Sequence, residues 1–219
     1  MRTKALLVAA AFAAGLATSM AQNVYSLNVV GYYNVTVPAN GFALIANQLN
    51  TTNNTLAGLL PSVPDRTAVY KWTGTTFEIS IFEEDPDRPG AGEWSDNFTL
   101  NPGEGAFIKN PSLTSPLTIT FIGEVLQGSL TNPIPVGFSI RSSMVPQAGG
   151  VRSVLGLPVA DRDTVYRWTG STYDISIWEE IEPGQGDWDG GVEPTVQVGE
   201  AFFVLKRAPT QWIRSFTVQ

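Results

Sequence analysis

A stretch of 20 residues occurs twice in this chain and constrains its fold more than any other feature. The first copy, DRTAVYKWTGTTFEISIFEE, spans Asp65 to Glu84, and the second, DRDTVYRWTGSTYDISIWEE, spans Asp161 to Glu180. The copies lie 96 residues apart and are identical at 13 of 20 positions. Segments on either side match at the same spacing, so the sequence predicts two tandem copies of one unit of roughly 96 residues.

Each copy of this stretch has the alternation of a β-hairpin. Apolar and polar residues alternate on both sides of a TGTT or TGST segment, which supplies the glycine of a tight reversal. A register that pairs Trp72 with Phe77 also places Lys71 opposite Glu78. Charged side chains then meet on a solvent side and aromatic side chains on a core side. We therefore expect Trp72 and its counterpart Trp168 to be buried.

The remaining segments predict the fold class. Each copy holds about six strand-like segments, rich in β-branched and aromatic residues and separated by turn residues. Leucines three and four apart predict one short helix per copy, at Thr55–Leu60 and Val151–Leu157, each followed by a proline. We expect an all-β protein of two tandem antiparallel β units, sandwich- or barrel-like. The units would be residues 22–122 and 123–219, packed together because no flexible linker separates them.

The N-terminus has the pattern of a signal peptide. Arg2 and Lys4 precede an apolar run from Ala5 to Ala17, and small residues end at Ala21, where a signal peptidase would cut. The run is shorter than the roughly 20 residues that span a bilayer. We therefore expect residues 1–21 to be removed, no transmembrane segment in the mature chain, and an extracellular, cell-surface or periplasmic location.

Charge and composition exclude several partners. The mature chain would keep all 20 acidic residues and 11 of the 13 basic ones, a net charge of −9. Nucleic acid and anionic membrane surfaces are disfavoured partners, since both call for a basic surface. The chain has no cysteine, so burial alone must hold the core, and 43% hydrophobic residues make this feasible.

The residue types present leave few routes to catalysis. Because histidine and cysteine are absent, most zinc, copper and haem sites and the histidine-dependent triads are excluded. A glycosidase needs only two carboxyl groups, and Glu83, Glu84, Glu179 and Glu180 are the candidates. Both copies keep the Glu-Glu pair, whereas an acid and base acting once have no reason to be duplicated. We expect a protein that is not an enzyme.

An irregular acidic loop follows each hairpin. Ca²⁺ binds carboxylate and carbonyl oxygens in flexible geometry, so each loop is a candidate site, with a solvated loop as the alternative. The spacing matches neither an EF-hand nor a nonapeptide calcium repeat, and we expect no other cofactor. The candidate ligands are Glu84, Asp85, Asp87, Glu93 and Asp96 in the first loop and Glu180, Glu182, Asp187 and Asp189 in the second.

Both loops also carry the pattern Pro-Gly-x-Gly-acid-Trp, which ends at Trp94 and Trp188. An exposed tryptophan beside carboxylates can serve as a platform for a sugar ring. Alternation places Phe82 and Trp178 on the polar faces of their strands, where they would extend such a site. The alternative is that the loop tryptophans fold back and cover the open end of a β core.

The chain resembles a group of uncharacterised secreted proteins of environmental bacteria. The resemblance rests on VYSLNVVGYYNVTVPANGF, the paired VYKWTG and VYRWTG hairpins, GEVLQGSLTNP and GEAFFV, and it covers nearly the whole mature chain. It implies export and a duplicated β-rich body. Together with the composition, it leads us to expect a structural, adhesive or assembly component that contacts extracellular polysaccharide or surface proteins. A carbohydrate-binding module is the first alternative and a carboxylate glycosidase the second.

Overall fold

The computed structural model describes residues 29–182 and 184–218, and the predicted signal peptide at 1–21 lies outside these residues. The described chain is all-β. Its elements are β1 (Val30–Val37), β2 (Phe42–Ala46), α1 (Leu56–Leu59), β3 (Ala68–Trp72), β4 (Phe77–Glu84), β5 (Gly92–Trp94), β6 (Gly105–Lys109), β7 (Leu117–Glu124), β8 (Gly128–Ile134), β9 (Gly137–Arg141), β10 (Gly149–Gly150), β11 (Thr164–Trp168), β12 (Tyr173–Glu182), β13 (Gln185–Trp188), a 3₁₀ turn (Asp189–Gly191), β14 (Thr195–Val196), β15 (Phe202–Lys206) and β16 (Thr210–Phe216).

Two five-stranded sheets form the body of the molecule. The first sheet has the order β2-β6-β3-β4-β5, and the second sheet has β9-β15-β11-β12-β13. Three two-stranded sheets, β1-β7, β8-β16 and β10-β14, accompany them, and every described pair is antiparallel. None of the sheets formed by the described residues closes into a barrel. Corresponding strands therefore take corresponding places in the two five-stranded sheets.

The predicted hairpin register is confirmed in both halves. β3 and β4 pair Trp72 with Phe77 and Lys71 with Glu78. β11 and β12 have the same register 96 residues later. The reversal between β3 and β4 contains Gly74 at φ 106°, a backbone conformation that an L side chain rarely adopts. The alternation of side chains and this turn together fix which residues face each other.

One helix prediction is confirmed and the other is wrong. α1 forms at Leu56–Leu59, as expected from its leucine spacing. The counterpart, Val151 to Leu157, forms hydrogen-bonded turns. The Glu193 carboxylate accepts the backbone N–H groups of Arg152 and Ser153, at 2.6 and 2.7 Å. Further along, the N–H groups of Leu155 and Leu157 donate to the carbonyls of Gly150 and Val151, five and six residues earlier, in place of the four-residue step of an α-helix. Leucine spacing does not reveal this irregularity.

Three apolar clusters form the core. The first lies under the first sheet and includes residues of β1, β7 and α1. The second lies under the second sheet and includes Trp212 of β16. The third lies between the two sheets and contains Phe107 from the first half and Phe203 from the second. Apolar burial thus holds each half internally and also holds the halves to each other.

Each five-stranded sheet is apolar on both faces, which changes the predicted orientation of several rings. Phe82 packs into the first cluster, while Tyr70 and Trp72 pack against the third. Phe82 and Trp178 are 1% and 2% exposed, so their predicted place on a polar face is wrong. Trp72 and Trp168 are only half-buried, so their predicted burial is also wrong. Alternation separates the two faces of a strand but does not identify the covered one.

Reciprocal hydrogen bonds join the two halves. The backbone N–H of Ala46 donates to the Gly199 carbonyl at 2.9 Å, and 96 residues on, the N–H of Ser142 donates to the carbonyl of Gly103 at 3.0 Å. The indole N–H groups follow the same rule. Trp72 donates to the Phe138 carbonyl at 3.0 Å, and Trp168 donates to the carbonyl of Phe42 at 3.2 Å. Each half therefore donates to the other half the same hydrogen bonds that it accepts from it.

Candidate functional site

The four rings predicted to form a sugar platform lie inside the two halves. Trp94 is 8% exposed, its ring contacts Phe82 at 5.5 Å between centroids, and its indole N–H donates to the carbonyl of Leu60 at 3.1 Å. Trp188 is 4% exposed and contacts Trp178 at 5.5 Å. No ring face of this pair of loops is open enough to stack on a sugar. The burial favours the alternative, in which these tryptophans cover a β core.

The carboxylates of the acidic loops accept backbone N–H groups of the loops and of the adjoining strand. Glu84 accepts the N–H of Gly90. Asp85 accepts the N–H of Asp87 and the side chain of Arg88, which holds the pKa of the Asp85 carboxyl below its usual range. In the second loop Glu180 accepts the N–H of Gly184, and Asp189 accepts that of Ile177. Among the described residues, no three acidic side chains come together as metal ligands would.

The candidate catalytic glutamates do not form a facing pair within either copy. Glu83 and Glu84 are neighbours on β4, and Glu179 and Glu180 are neighbours on β12. Adjacent residues of a strand point to opposite faces of the sheet. Glu179 instead pairs with Arg162 at 3.1 Å. The expectation of a protein without catalytic activity remains a prediction.

The structure brings together a different set of aromatic residues. A cleft of about 340 Å³, which we call the aromatic cleft, opens between the two sheets. Trp168 contacts Phe107 at 5.3 Å and Tyr173 at 5.1 Å between ring centroids, both edge to face. The rings come from both halves, on the strand faces that the third cluster shares. The lining residues are Phe42, Tyr70, Phe77, Phe107, Trp168 and Tyr173.

Three tyrosines of this region have hydroxyl groups that form no hydrogen bond within the described residues. Tyr70, Tyr166 and Tyr173 are half-buried, and none of their hydroxyls has a hydrogen-bond partner in the described part of the chain. Partial burial raises the pKa of Tyr173, so its hydroxyl stays protonated and can donate. The exposed isoleucines of the two hairpins, Ile79 and Ile175, widen the apolar surface beside the rings, at 51% and 54% exposure.

A second depression adjoins the aromatic cleft at Trp168, and we call it the polar groove because amide, hydroxyl and carboxylate residues interrupt its mostly apolar lining. Its volume is about 280 Å³, and Trp168 lines both depressions. Glu200 accepts the backbone N–H of Gln197 at 2.9 Å and lies 3.9 Å from Arg167. Burial raises the pKa of the Glu200 carboxyl despite these two groups, which lower it. The groove is lined by Asn34, Val35, Thr36, Ala43, Leu44, Trp168, Gln197, Val198, Gly199 and Glu200.

Sequence reasoning did not find this site because its walls come from distant parts of the chain. Asn34 and Phe42 belong to the first half, whereas Trp168 and Gln197 belong to the second. The available signal was the aromatic side of each predicted hairpin. That side was expected to be fully covered.

Comparison with protein-family models, with curated proteins and with solved structures finds no match for this chain. Among the described residues, no helix is long and apolar enough to cross a membrane. The aromatic cleft and the polar groove are therefore the features of this chain from which a function can be proposed.

Proposed function

We propose that this protein is exported and acts without catalysis as a structural, adhesive or assembly component at or outside the bacterial cell surface. Its body would consist of two tandem copies, residues 22–122 and 123–219, packed face to face. The common strand order of the two five-stranded sheets and the reciprocal hydrogen bonds between the halves support this arrangement.

The observation that carries the proposal is the aromatic cleft. Six aromatic side chains line it, and they come from both halves of the chain. Concave apolar surfaces with a few polar groups are the usual form of binding sites, and contiguous exposed apolar patches mark interaction surfaces. A cleft built by two rigid sheets would hold its shape before a partner arrives, which reduces the entropic cost of binding.

Retention of the purified mature protein on cell envelopes of the source bacterium tests this function. The double variant Tyr70→Ser/Tyr173→Ser removes two rings from the cleft, and we expect envelope binding to fall about tenfold, the scale of a lost aromatic anchor. Ile122→Ser is the matched control, because Ile122 is an exposed apolar residue on β7, outside the cleft. Thermal unfolding of both variants checks that they are folded.

Two results would overturn the proposal. One is equal envelope binding by the wild-type protein and the cleft variant. The other is recovery of the full-length, uncleaved chain from the cytoplasm, since N-terminal sequencing of the exported protein should begin near Gln22.

Carbohydrate binding is the second candidate function, and one observation favours it. Trp168 lies between the aromatic cleft and the polar groove, so flat rings and hydrogen-bonding groups adjoin at one residue. Sugars present an apolar C–H face beside a rim of hydroxyls and need both kinds of contact. This candidate places the binding at Trp168 in place of the buried Trp94 and Trp188.

A further inference from the structure

We infer that the polar groove and the aromatic cleft together bind one linear, neutral polysaccharide chain that passes across Trp168. This inference rests on the carbohydrate-binding candidate and specifies its ligand class and its residues. Three features carry it: the fixed position of the indole, the polar groups on one side of it, and the charge of the protein.

The Trp168 indole is held in place before any ligand binds. Its N–H donates to the carbonyl of Phe42 at 3.2 Å, and the rings of Phe107 and Tyr173 support it edge to face. The residue remains half-buried, so part of the indole is accessible from the depressions that it borders. An aromatic group with fixed orientation can stack on a sugar with little loss of side-chain entropy.

The polar groove offers hydrogen bonds next to that indole. Gln197 is exposed, and its side-chain amide has no hydrogen-bond partner among the described residues. Glu200 adds a carboxylate that is held by the Gln197 backbone and by Arg167. An amide that both donates and accepts, beside a carboxylate that accepts, matches the alternating hydroxyl groups of a sugar. If one sugar stacks on Trp168, the next sugar of the polysaccharide would therefore meet hydrogen-bonding groups in the polar groove.

The charge of the protein selects a neutral polymer. The mature chain carries a net charge of −9, and the Glu200 carboxylate lines the groove itself. A polyuronate or sulfated polysaccharide would bring like charges together, which disfavours association. A neutral hexose polymer avoids this repulsion while keeping the stacking and hydrogen-bond contacts.

The duplicated sequence supplies matched control variants. Asn101 lies 96 residues before Gln197, and in both turns the backbone N–H donates to the glutamate three residues later. Trp72 likewise corresponds to Trp168 and donates the equivalent indole hydrogen bond. Neither Asn101 nor Trp72 is among the residues that line the aromatic cleft or the polar groove. The change at Asn101 reproduces the local structural loss outside the inferred site. The Trp72 ring contacts the cleft residue Phe77 at 4.9 Å between centroids, so the change at Trp72 measures the effect of repacking beside the cleft.

The experiment measures binding of the mature protein to four soluble polymers by affinity electrophoresis and calorimetry. The neutral probes are hydroxyethyl cellulose, laminarin and mannan, and polygalacturonate is the acidic probe. We expect binding to at least one neutral probe. Trp168→Ala should then lower the association constant about tenfold or more, and Gln197→Ala about threefold to tenfold, the range of one lost hydrogen bond. Asn101→Ala should bind within about twofold of the wild type, a difference too small to represent a lost contact. Trp72→Ala removes a ring that supports Phe77 but no inferred sugar contact, so it should lose less binding than Trp168→Ala.

Three outcomes would overturn the inference. Binding to polygalacturonate alone contradicts the ligand class. An equal loss of binding in Asn101→Ala and Gln197→Ala contradicts the location. Binding to none of the four polymers, together with cleft-dependent retention on cell envelopes, rejects the polysaccharide while leaving the adhesive or assembly function intact. If the wild-type protein neither binds any of the four polymers nor is retained on cell envelopes, the adhesive or assembly function is rejected as well.

Discussion

The residue that follows β6 and the last residue of β15 occupy corresponding places in the two halves, but they anchor different loops with different chemistry. In the first half the buried Asn110 amide donates to the carbonyls of Val37, Pro38 and Ser115, at 2.9 to 3.3 Å. In the second half Lys206 stands 96 residues after Asn110 and forms an ion pair with Asp163, at 3% and 2% side-chain exposure. One fold therefore accepts a neutral hydrogen-bond network or a buried ion pair at the same position.

The buried ion pair of the second half depends on both of its members. Asp163 also accepts the backbone N–H groups of Ala160 and Arg207, and Lys206 also donates to the Pro158 carbonyl. The two charged side chains thus provide hydrogen-bond partners for backbone groups that would otherwise be buried without them. A buried ion pair adds little net stability over a neutral alternative, but removing one member leaves the other charge uncompensated. The second half should therefore be the more sensitive to a single substitution at this place.

Substitution of the buried lysine gives the largest expected effect. Lys206→Met leaves the Asp163 carboxylate buried without its cation, and we expect a loss of about 3–5 kcal/mol in the free energy of unfolding. Urea denaturation measures it. The double variant Asp163→Thr/Lys206→Asn installs the residue types of the first half, Thr67 and Asn110, and should lose less than the single variant. A loss below about 1 kcal/mol for Lys206→Met would mean that water reaches Asp163.

The two loop tryptophans give a second comparison. Trp94→Ala and Trp188→Ala should each cost about 3–5 kcal/mol, as truncation of a buried aromatic ring does. Replacement by phenylalanine should distinguish the two tryptophans. The Trp94 indole N–H donates to the Leu60 carbonyl, whereas that of Trp188 has no partner among the described residues. We expect Trp94→Phe to cost about 1 kcal/mol more than Trp188→Phe. Melting temperatures unchanged by both alanine variants would contradict the core-covering role.

The junction of the halves contains a smaller asymmetry, since Gly105 in one half corresponds to Ala201 in the other. A Cβ added at Gly105 would lie 2.3 Å from the Ala201 Cβ and 2.6 Å from an Ile140 methyl carbon. We expect Gly105→Ala to cost about 1–3 kcal/mol through overpacking, measured by thermal unfolding. The exchange Gly105→Ala/Ala201→Gly removes the contact with Ala201 and should recover part of that loss, because the Ile140 methyl and the Ile45 carbonyl oxygen, 2.9 Å from the added Cβ, remain. A double variant no better than the single one would show that the Ile140 side of the contact dominates.

Alternation and turn residues were sufficient to predict the hairpins, because the pairing of Trp72 with Phe77 follows from side-chain period and turn length alone. They could not predict which side chains are buried, because both faces of each sheet are apolar. Phe82 and Tyr70 point to opposite faces, and only the three-dimensional packing shows that Phe82 is covered and Tyr70 is half-open. The register was local information, whereas burial depended on the other half.

The candidate site could not be predicted from the sequence for the same reason. Trp168 and Trp72 lie in nearly identical hairpins, so nothing local distinguishes them. Trp168 differs because Asn34 and Ala43, more than 120 residues earlier, form the opposite wall of its groove. Contacts at that separation are set by how the halves dock. Sequence motifs drew attention instead to the loop tryptophans, which are repeated but buried.

Calcium gives the smallest expected effect and tests whether the two acidic loops differ. Carboxylates of both loops already accept backbone N–H groups: Asp85 accepts that of Asp87 in the first loop, and Asp189 of the second accepts that of Ile177 on β12. A ligand that binds only the folded state at 100 times its Kd adds about 2.7 kcal/mol, which would raise the melting temperature by several degrees. We expect a change below about 1 °C between excess chelator and millimolar Ca²⁺. A rise of several degrees would establish a calcium site. Asp85→Asn and Asp189→Asn, measured separately, would then show which loop holds it, because only the variant in the binding loop should lose the rise.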